Sequence, residues 1–185
     1  MLFLSFLIFS SSSDEGTDIS GDLIIGEKLQ AIVDSKIGDS DKLIGVSLSV
    51  RVGGIERWSL QSGISRGTSP IEKDMRFGVG SVTKTTIAAA TLKLEEEGLL
   101  SLNDEIGDWI ALTSEHVDPS IKIIQLLNHF SGIVRFMGHE GLWPVVEADL
   151  DATISTEEMF RFIGEPLSQK GATHSYSNSN YLILS

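Results

Sequence analysis

Hydrophobic positions repeat with two different periods in the first third of the chain. Over residues 21–37 they recur at roughly helical spacing among charges, which predicts an amphipathic helix. Over residues 46–52 every second residue is apolar, the repeat of a half-buried strand. Gly53-Gly54 then indicates a tight turn, and residues 55–60 are expected to pair back as a second strand. The pattern predicts a helix packed on an antiparallel hairpin.

The rest of the chain alternates helical stretches with loops. Residues 63–74 are typical of a loop, whereas residues 85–97 are rich in Ala, Leu, Lys and Glu and predict a helix that stops at Gly98. An apolar run predicts a helix over residues 121–128. Ser-Thr-Glu-Glu at 155–158 is a capping box, so a further helix is expected to run from there to residue 163. Residues 138–151, which include Trp-Pro, and the stretch around Tyr176 are expected to be loops.

The amino-acid composition excludes several classes of partner and of site. The chain has 185 residues, 41% of them hydrophobic, which fits one domain with a core. A net charge of -12 argues against nucleic acid as a partner, because phosphates would be repelled. The absence of cysteine excludes disulfides, a cysteine nucleophile and thiolate metal sites. The four histidines show no metal-ligand spacing, so we expect neither a metal nor another cofactor.

The first residues resemble a targeting segment only in part. Residues 1–9 are nearly all apolar and are followed by serines, a run too short to span a bilayer as a helix but suited to a secretory signal. No lysine or arginine precedes the run and no Ala-x-Ala site follows it. Residues 1–20 are therefore interpreted as a signal-peptide remnant and polar linker, which predicts a secreted, periplasmic or cell-envelope protein. The alternative is a mis-started terminus.

Ser81 and Lys84 are the first candidates for chemistry. Two glycines allow the backbone to turn sharply just before the predicted helix, so Ser81 is expected at the helix entrance, where free N–H groups favour developing negative charge. Lys84 follows on the same face. A serine nucleophile needs a neighbour that takes its proton, and a lysine can do so when burial and nearby positive charge favour its neutral amine. A serine three residues before a lysine also occurs by chance. In that alternative Ser81 is an ordinary residue at the start of a helix.

Three motifs in a fixed order support the interpretation of Ser81 as a nucleophile beside Lys84. Residues 77–84 are Phe-Gly-Val-Gly-Ser-Val-Thr-Lys, residues 126–133 are Leu-Leu-Asn-His-Phe-Ser-Gly-Ile and residues 176–178 are Tyr-Ser-Asn. Together they resemble the serine β-lactamase and penicillin-binding superfamily, specifically the branch of class C β-lactamases, D-alanyl-D-alanine carboxypeptidases and esterases. The resemblance runs from about residue 43 to the last residue. It implies an α+β, β-lactamase-like fold in which residues 21–185 form a partial hydrolase domain: the N-terminal helix, the hairpin and most of the helical lobe.

The resemblance also implies roles for single residues. Ser81 would be the nucleophile, and Lys84 and Tyr176 would complete the catalytic set, with the choice of proton acceptor between these two left open. Asn178 would hold Lys84 and bind the amide on the acyl side of the substrate. His129, in the second motif, is interpreted as structural, bracing its turn rather than carrying a proton.

The implied function is that of a serine hydrolase that forms an acyl-enzyme with β-lactams, D-alanyl peptides or small esters. The alternative is a non-catalytic penicillin-binding or sensor protein of the same fold. The family's third motif, Lys-Thr-Gly or His-x-Gly, does not occur between Tyr176 and Ser185. In the family this motif lies on a strand that supplies one donor of the oxyanion hole, and such a donor is worth about 10²–10³ in rate. We therefore expect these residues to be the N-terminal half of a larger enzyme, with poor stability and little turnover on their own.

Overall fold

In a computed structural model of the chain, residues 19–39, 43–65, 67–111, 114–149 and 153–185 are described. They form two compact units, one ending at Val79 and the other beginning at Gly80. The interpretation of residues 1–20 as a signal-peptide remnant and linker falls outside the described residues, apart from the backbone of the last two. The interpretation of residues 21–185 as one partial domain stays a prediction.

The first unit is a helix on a two-stranded sheet, as the hydrophobic periods predict. Helix α1 spans Ile19–Gly38, and strands β1 (Gly45–Val52) and β2 (Ile55–Gly63) pair in antiparallel fashion. Gly53 and Gly54 form the turn with φ of 59° and 80°, a conformation that favours glycine. The indole N–H of Trp58 in β2 donates to the Asp22 carbonyl of α1 at 2.8 Å, which fixes the helix on the sheet. Strand β2 is longer than predicted, and the predicted loop that follows contains one isolated bridge, between Ile64 and Pro70.

The second unit consists of short helices around one apolar core. Its α-helices are α2 (Thr83–Glu96), α3 (Ile123–Leu127), α4 (Leu142–Ala148), α5 (Thr156–Phe160) and α6 (Asn178–Ile183). Single 3₁₀ turns cover Gly80–Val82, Ile106–Asp108 and Phe136–Gly138. The core side chains are Ile106, Val117, Ile121, Ile123, Leu126, Ile133, Phe160, Ile163 and Ile183. They are spread over residues 106–183, so the folding of this unit joins residues that are far apart in sequence.

Helix α2 ends where its sequence predicts. Gly98 has φ of 69°. Its N–H donates to the Glu95 carbonyl and the Leu99 N–H donates to the Leu94 carbonyl, each at 2.9 Å, which is the Schellman pattern. Of the side chains of α2 only Thr91 is buried. The helix is therefore defined mainly by its own propensity and its C-terminal cap.

Three further predictions for the second unit differ from the structure. The stretch 138–151, expected to be a loop, contains α4, in which Pro144 is the third residue and so occupies a first-turn position where no intrahelical N–H is needed. Helix α3 begins at Ile123 rather than at residue 121, because the Lys122 N–H is bonded to the Gln125 side chain at 2.9 Å and starts the helix there. The loop expected around Tyr176 turns helical at Asn178, where α6 begins.

The capping box before α5 is confirmed, although the α-helix ends at Phe160, short of residue 163. The Glu158 N–H donates to the Ser155 hydroxyl at 3.2 Å, and the Ser155 N–H donates to the Glu158 carboxylate at 3.0 Å. A turn follows in which the Ile163 N–H donates to the Phe160 carbonyl at 3.0 Å. Local bonding between neighbours therefore fixes the start of α5 independently of its packing.

Two loops of the second unit are tied by polar contacts. The Lys170 ammonium lies 2.9 Å from the Asp118 carboxylate and also contacts the Ser120 hydroxyl, which itself donates to Asp118. The hydroxyl of Ser120 and the charge of Lys170 lower the pKa of Asp118 to about 2.

Gly132 lies in a backbone conformation and a space that only glycine fits. It has φ of 78°, and a Cβ there would lie 2.2 Å from the Ser168 carbonyl oxygen. This segment therefore requires glycine at position 132.

Candidate active site

Ser81 lies in the 3₁₀ turn that leads into α2, two residues before the first α-helical residue, Thr83. The turn begins at Gly80, whose φ of 52° is rarely adopted by other residues. No side chain caps the N-terminus of α2, so the Ser81 hydroxyl does not serve as an ordinary cap. Instead its oxygen accepts a hydrogen bond from the Lys84 ammonium at 3.2 Å. The local geometry therefore directs the hydroxyl to the lysine.

The structure brings the four predicted site residues together within the second unit. The Tyr176 hydroxyl donates to Ser81 Oγ at 2.8 Å. The Lys84 ammonium donates to Asn178 Oδ1 at 2.7 Å and lies 5.0 Å from the centre of the Tyr176 ring. Tyr176 is 46% exposed and Ser81 is also exposed, so both oxygens can be reached from solvent. A serine oxygen, an amine and a phenol oxygen therefore meet at one accessible point.

The electrostatics of this cluster lower the pKa of Tyr176. Burial raises the pKa of Tyr176, but hydrogen bonds with Lys84 and Ser81 and the positive charge of Lys84 lower it by more, and the net pKa falls below its ordinary value. The neighbouring Tyr181 behaves in the opposite way, because burial and the proximity of Tyr176 raise its pKa. Of these two phenols, Tyr176 is the more easily deprotonated.

A buried polar network holds the segment that carries Tyr176 and Asn178. Asn180, with no exposed surface, accepts from the Ser131 hydroxyl at 2.7 Å and donates to the Leu126 carbonyl at 3.2 Å. The Ser179 hydroxyl, equally buried, donates to the Val134 carbonyl at 2.7 Å. The sequence does not predict the role of Ser179 and Asn180, because serine and asparagine next to one another are typical of loops and nothing in the pattern marks them as buried.

His129 forms a second part of this support. It has φ of 62°, and its backbone carbonyl accepts from the Ser175 N–H at 2.9 Å. Its Nδ1 accepts from the Ser177 N–H at 3.2 Å, and its ring lies 4.6 Å from that of Tyr176. Burial, followed by the charges of His174 and Lys84, lowers the pKa of His129. These contacts agree with the structural role predicted for this residue.

A cleft of about 560 Å³ opens beside Tyr176. Its walls combine charged, polar and apolar side chains, among them Arg135, His139, Phe162, Glu165 and Leu167. The cleft is large enough for the side chain or acyl group of a small substrate.

Within the described ranges no group of three or more His, Asp or Glu residues is arranged to hold a metal ion. Among the same residues, no helix combines the length and the apolar character needed to cross a membrane.

Comparison with known proteins assigns the fold and the family. A family model described as Beta-lactamase matches residues 29–185. A D-stereospecific amidohydrolase from Streptomyces sp. is 26% identical, with a TM-score of 0.68 over 86% of this chain and 47% of that one. A D-amino acid amidase from Ochrobactrum anthropi SV3 is 23% identical, with a TM-score of 0.70 over 87% and 44%. A penicillin-binding protein homologue from Pyrococcus abyssi, described as octameric, is 25% identical, with a TM-score of 0.67 over 85% and 37%.

The fold and these similarities define the class as the serine β-lactamase and penicillin-binding superfamily. The chain belongs to the Beta-lactamase family. Both the predicted resemblance and the predicted α+β, β-lactamase-like fold are thereby confirmed. The chain spans less than half the length of each of these three structures, with 47%, 44% and 37% of their residues covered.

Proposed function

We propose that this chain carries the nucleophile and proton-transfer groups of a serine hydrolase that works through an acyl-enzyme. The observation that supports this most directly is the position of Ser81 Oγ, 2.8 Å from the Tyr176 hydroxyl and 3.2 Å from the Lys84 ammonium. A hydroxyl placed beside two groups that can hold its proton has the arrangement of an activated nucleophile. Membership of a hydrolase family supports the same reaction class.

In the proposed reaction Ser81 Oγ attacks the carbonyl carbon of an amide, ester or β-lactam. As the new C–O bond forms, the serine O–H bond breaks and its proton moves to Tyr176 in its phenolate form, which the lowered pKa makes easier to reach than for an ordinary tyrosine. The tetrahedral intermediate then collapses, and the leaving amine or alcohol takes the proton from Tyr176. Water afterwards hydrolyses the acyl-serine ester. A neutral Lys84 amine, 3.2 Å from Ser81 Oγ, is the other proton acceptor that this geometry supports.

Asn178 fits the proposed role of a substrate-binding residue. Its Oδ1 is occupied by Lys84 at 2.7 Å, which fixes the orientation of the amide. Its Nδ2 contacts only the thioether sulfur of Met137 among its described hydrogen bonds, at 2.6 Å. A thioether is a weak acceptor, so a substrate carbonyl can replace it with a gain in hydrogen-bond strength. We therefore assign to Asn178 both the positioning of Lys84 and the binding of the acyl-side amide.

The proposed substrates are β-lactams, D-alanyl peptides and small esters. The similar structures include a D-stereospecific amidohydrolase and a D-amino acid amidase, and we therefore add D-amino acid amides to the proposed set. The penicillin-binding protein homologue supports the alternative of a protein that is acylated but does not turn over. Substrates of the cell wall agree with the proposed secreted or cell-envelope location, which fractionation of the producing cells tests.

Parallel hydrolysis assays test the proposal. The substrates are a chromogenic cephalosporin, a D-alanyl-D-alanine peptide, a D-amino acid amide and a nitrophenyl ester, and the variants are Ser81→Ala and the matched surface control Ser69→Ala. Because little turnover is expected from these residues on their own, we expect slow release of product from the unmodified chain and from Ser69→Ala, and only background from Ser81→Ala. Equal rates in all three proteins refute Ser81 as the nucleophile. A stable penicillin adduct on Ser81 without release of product favours the alternative function.

A further inference from the structure

We propose that His129 is the positioning residue that holds Tyr176 against Ser81, and that it does so only as the neutral imidazole. The inference rests on the function proposed for Ser81 and Tyr176. Both neighbours of Tyr176 are bonded to His129: the Ser175 N–H donates to its carbonyl oxygen at 2.9 Å, and the Ser177 N–H donates to its Nδ1 at 3.2 Å. Position 129 therefore fixes the backbone on each side of the phenol.

The hydrogen bonds at Nδ1 require a lone pair on that nitrogen. Besides the Ser177 N–H, the side-chain nitrogen of Asn180 lies 3.3 Å from His129 Nδ1. The orientation of the Asn180 amide is set by its other two bonds, to the Ser131 hydroxyl and the Leu126 carbonyl. Two donors therefore face one ring nitrogen, which can accept from them only when the ring proton is on Nε2. Protonation of Nδ1 would place an N–H against both.

The ring of His129 also packs directly on the phenol that it positions. Its centre lies 4.6 Å from that of Tyr176 and 5.4 Å from that of Tyr181. The backbone of His129 has φ of 62°, a value that residues other than glycine seldom adopt. Such a conformation persists only where the surroundings fix it, and here the surroundings are the segment that carries Tyr176.

The charged and titratable groups around the ring favour its neutral form. Lys84 comes from α2, His174 and Tyr176 from the segment before α6, and Tyr181 from α6 itself. The His174 ring meets that of His129 edge-on at 5.9 Å. Burial, and then His174 and Lys84, lower the pKa of His129 from 6.5. The neutral ring is thus the form at neutral pH, and acid converts it to the form that cannot accept the Ser177 N–H.

Two substitutions test the hydrogen-bond acceptor and the aromatic ring of His129 separately. His129→Asn keeps an acceptor atom on Cγ, where Nδ1 is attached, tolerates positive φ and does not titrate. His129→Phe keeps an aromatic ring against Tyr176 but has no acceptor. His116→Asn, at a histidine outside this cluster, is the matched control. The rate at which a fluorescent penicillin acylates Ser81 is measured for each protein between about pH 8 and about pH 5.

The proton acceptor of Ser81 sets a pH dependence that all four proteins share. Beyond it, we expect the rate of the unmodified chain and of His116→Asn to fall by about a further tenfold as the pH drops through the pKa of His129, because the Ser177 N–H loses its acceptor. His129→Asn is expected to lack this further fall, and His129→Phe to react about tenfold more slowly than the unmodified chain at neutral pH. An acid fall in His129→Asn equal to that of the unmodified chain overturns the proposal. So does an unchanged rate in His129→Phe.

The amide signal of Ser177 in the ¹⁵N NMR spectrum tests the same idea without any reaction. We expect it to shift as His129 titrates, and to stay constant with pH in His129→Asn. A Ser177 amide that ignores the titration of His129 overturns the positioning role, whatever the reactivity of Ser81. A Ser177 amide that follows the titration in a chain that is never acylated supports the positioning of this segment, and then it is the proposed hydrolase function that fails.

Discussion

Replacing Asn180 with alanine tests the buried network beneath the site. The side chain has 0% exposure and bonds to the Ser131 hydroxyl at 2.7 Å, the Leu126 carbonyl at 3.2 Å and His129 Nδ1 at 3.3 Å. A buried group that loses its hydrogen-bond partner costs about 1–3 kcal/mol. Alanine removes the acceptor of the Ser131 hydroxyl proton and leaves the Leu126 carbonyl with the His129 N–H as its remaining described donor, at 3.2 Å. We therefore expect the free energy of unfolding to fall by about 1–3 kcal/mol, a large part of the stability of an ordinary domain.

The assay is urea denaturation of the unmodified chain and of Asn180→Ala, followed by circular dichroism. Asn103→Ala is the control, because Asn103 is exposed and its side chain has no described hydrogen bond. We expect the control to change the free energy of unfolding by less than about 0.5 kcal/mol. A loss in Asn180→Ala no larger than that of the control would refute the claim that this network holds the segment around Tyr176.

Three further predictions concern the scaffold. Gly132→Ala should lower the free energy of unfolding in urea by more than about 1 kcal/mol, because its positive φ and the carbonyl opposite exclude a Cβ, whereas Gly138→Ala, with open space around it, should be nearly neutral. Ser155→Ala removes the cap of α5 and should cost about 0.5–2 kcal/mol in the same assay; no change would contradict the capping box. The pKa of Asp118, about 2, lies below its ordinary 3.8, so its contribution to stability is present above pH 3.8 and lost as the pH falls through 2. Lys170→Met should raise this pKa in a carboxyl ¹³C NMR titration, and an unchanged value would show that the ion pair has no influence.

Local patterns account for the parts of the fold that could be predicted. The period-two strands and the Gly53-Gly54 turn define the hairpin, because alternation and turn chemistry act between neighbours. The end of α2 at Gly98 and the capping box at Ser155 are local for the same reason. Helix α4 is not predicted, because an acidic stretch that contains Pro144 is typical of a loop, although the first turn of a helix accepts proline there.

The composition of the site could be predicted from the order of three motifs, but its support could not. Ser81 and Tyr176 are 95 residues apart, and only the resemblance to a family placed them in one site. No such signal exists for Asn180, whose partners lie 49–54 residues away and whose burial depends on the packing of the whole second unit. The positive φ of His129 likewise follows from that packing rather than from its own preference.

The most direct test of the central claim is to identify the atom that becomes acylated. The chain is incubated with penicillin, digested and analysed by mass spectrometry, beside Ser81→Ala and Tyr176→Phe. We expect a single adduct on the peptide that contains Ser81, none on that peptide in Ser81→Ala, and slower formation in Tyr176→Phe. An adduct on another residue, or no adduct on Ser81, would contradict the assignment of Ser81 as the nucleophile.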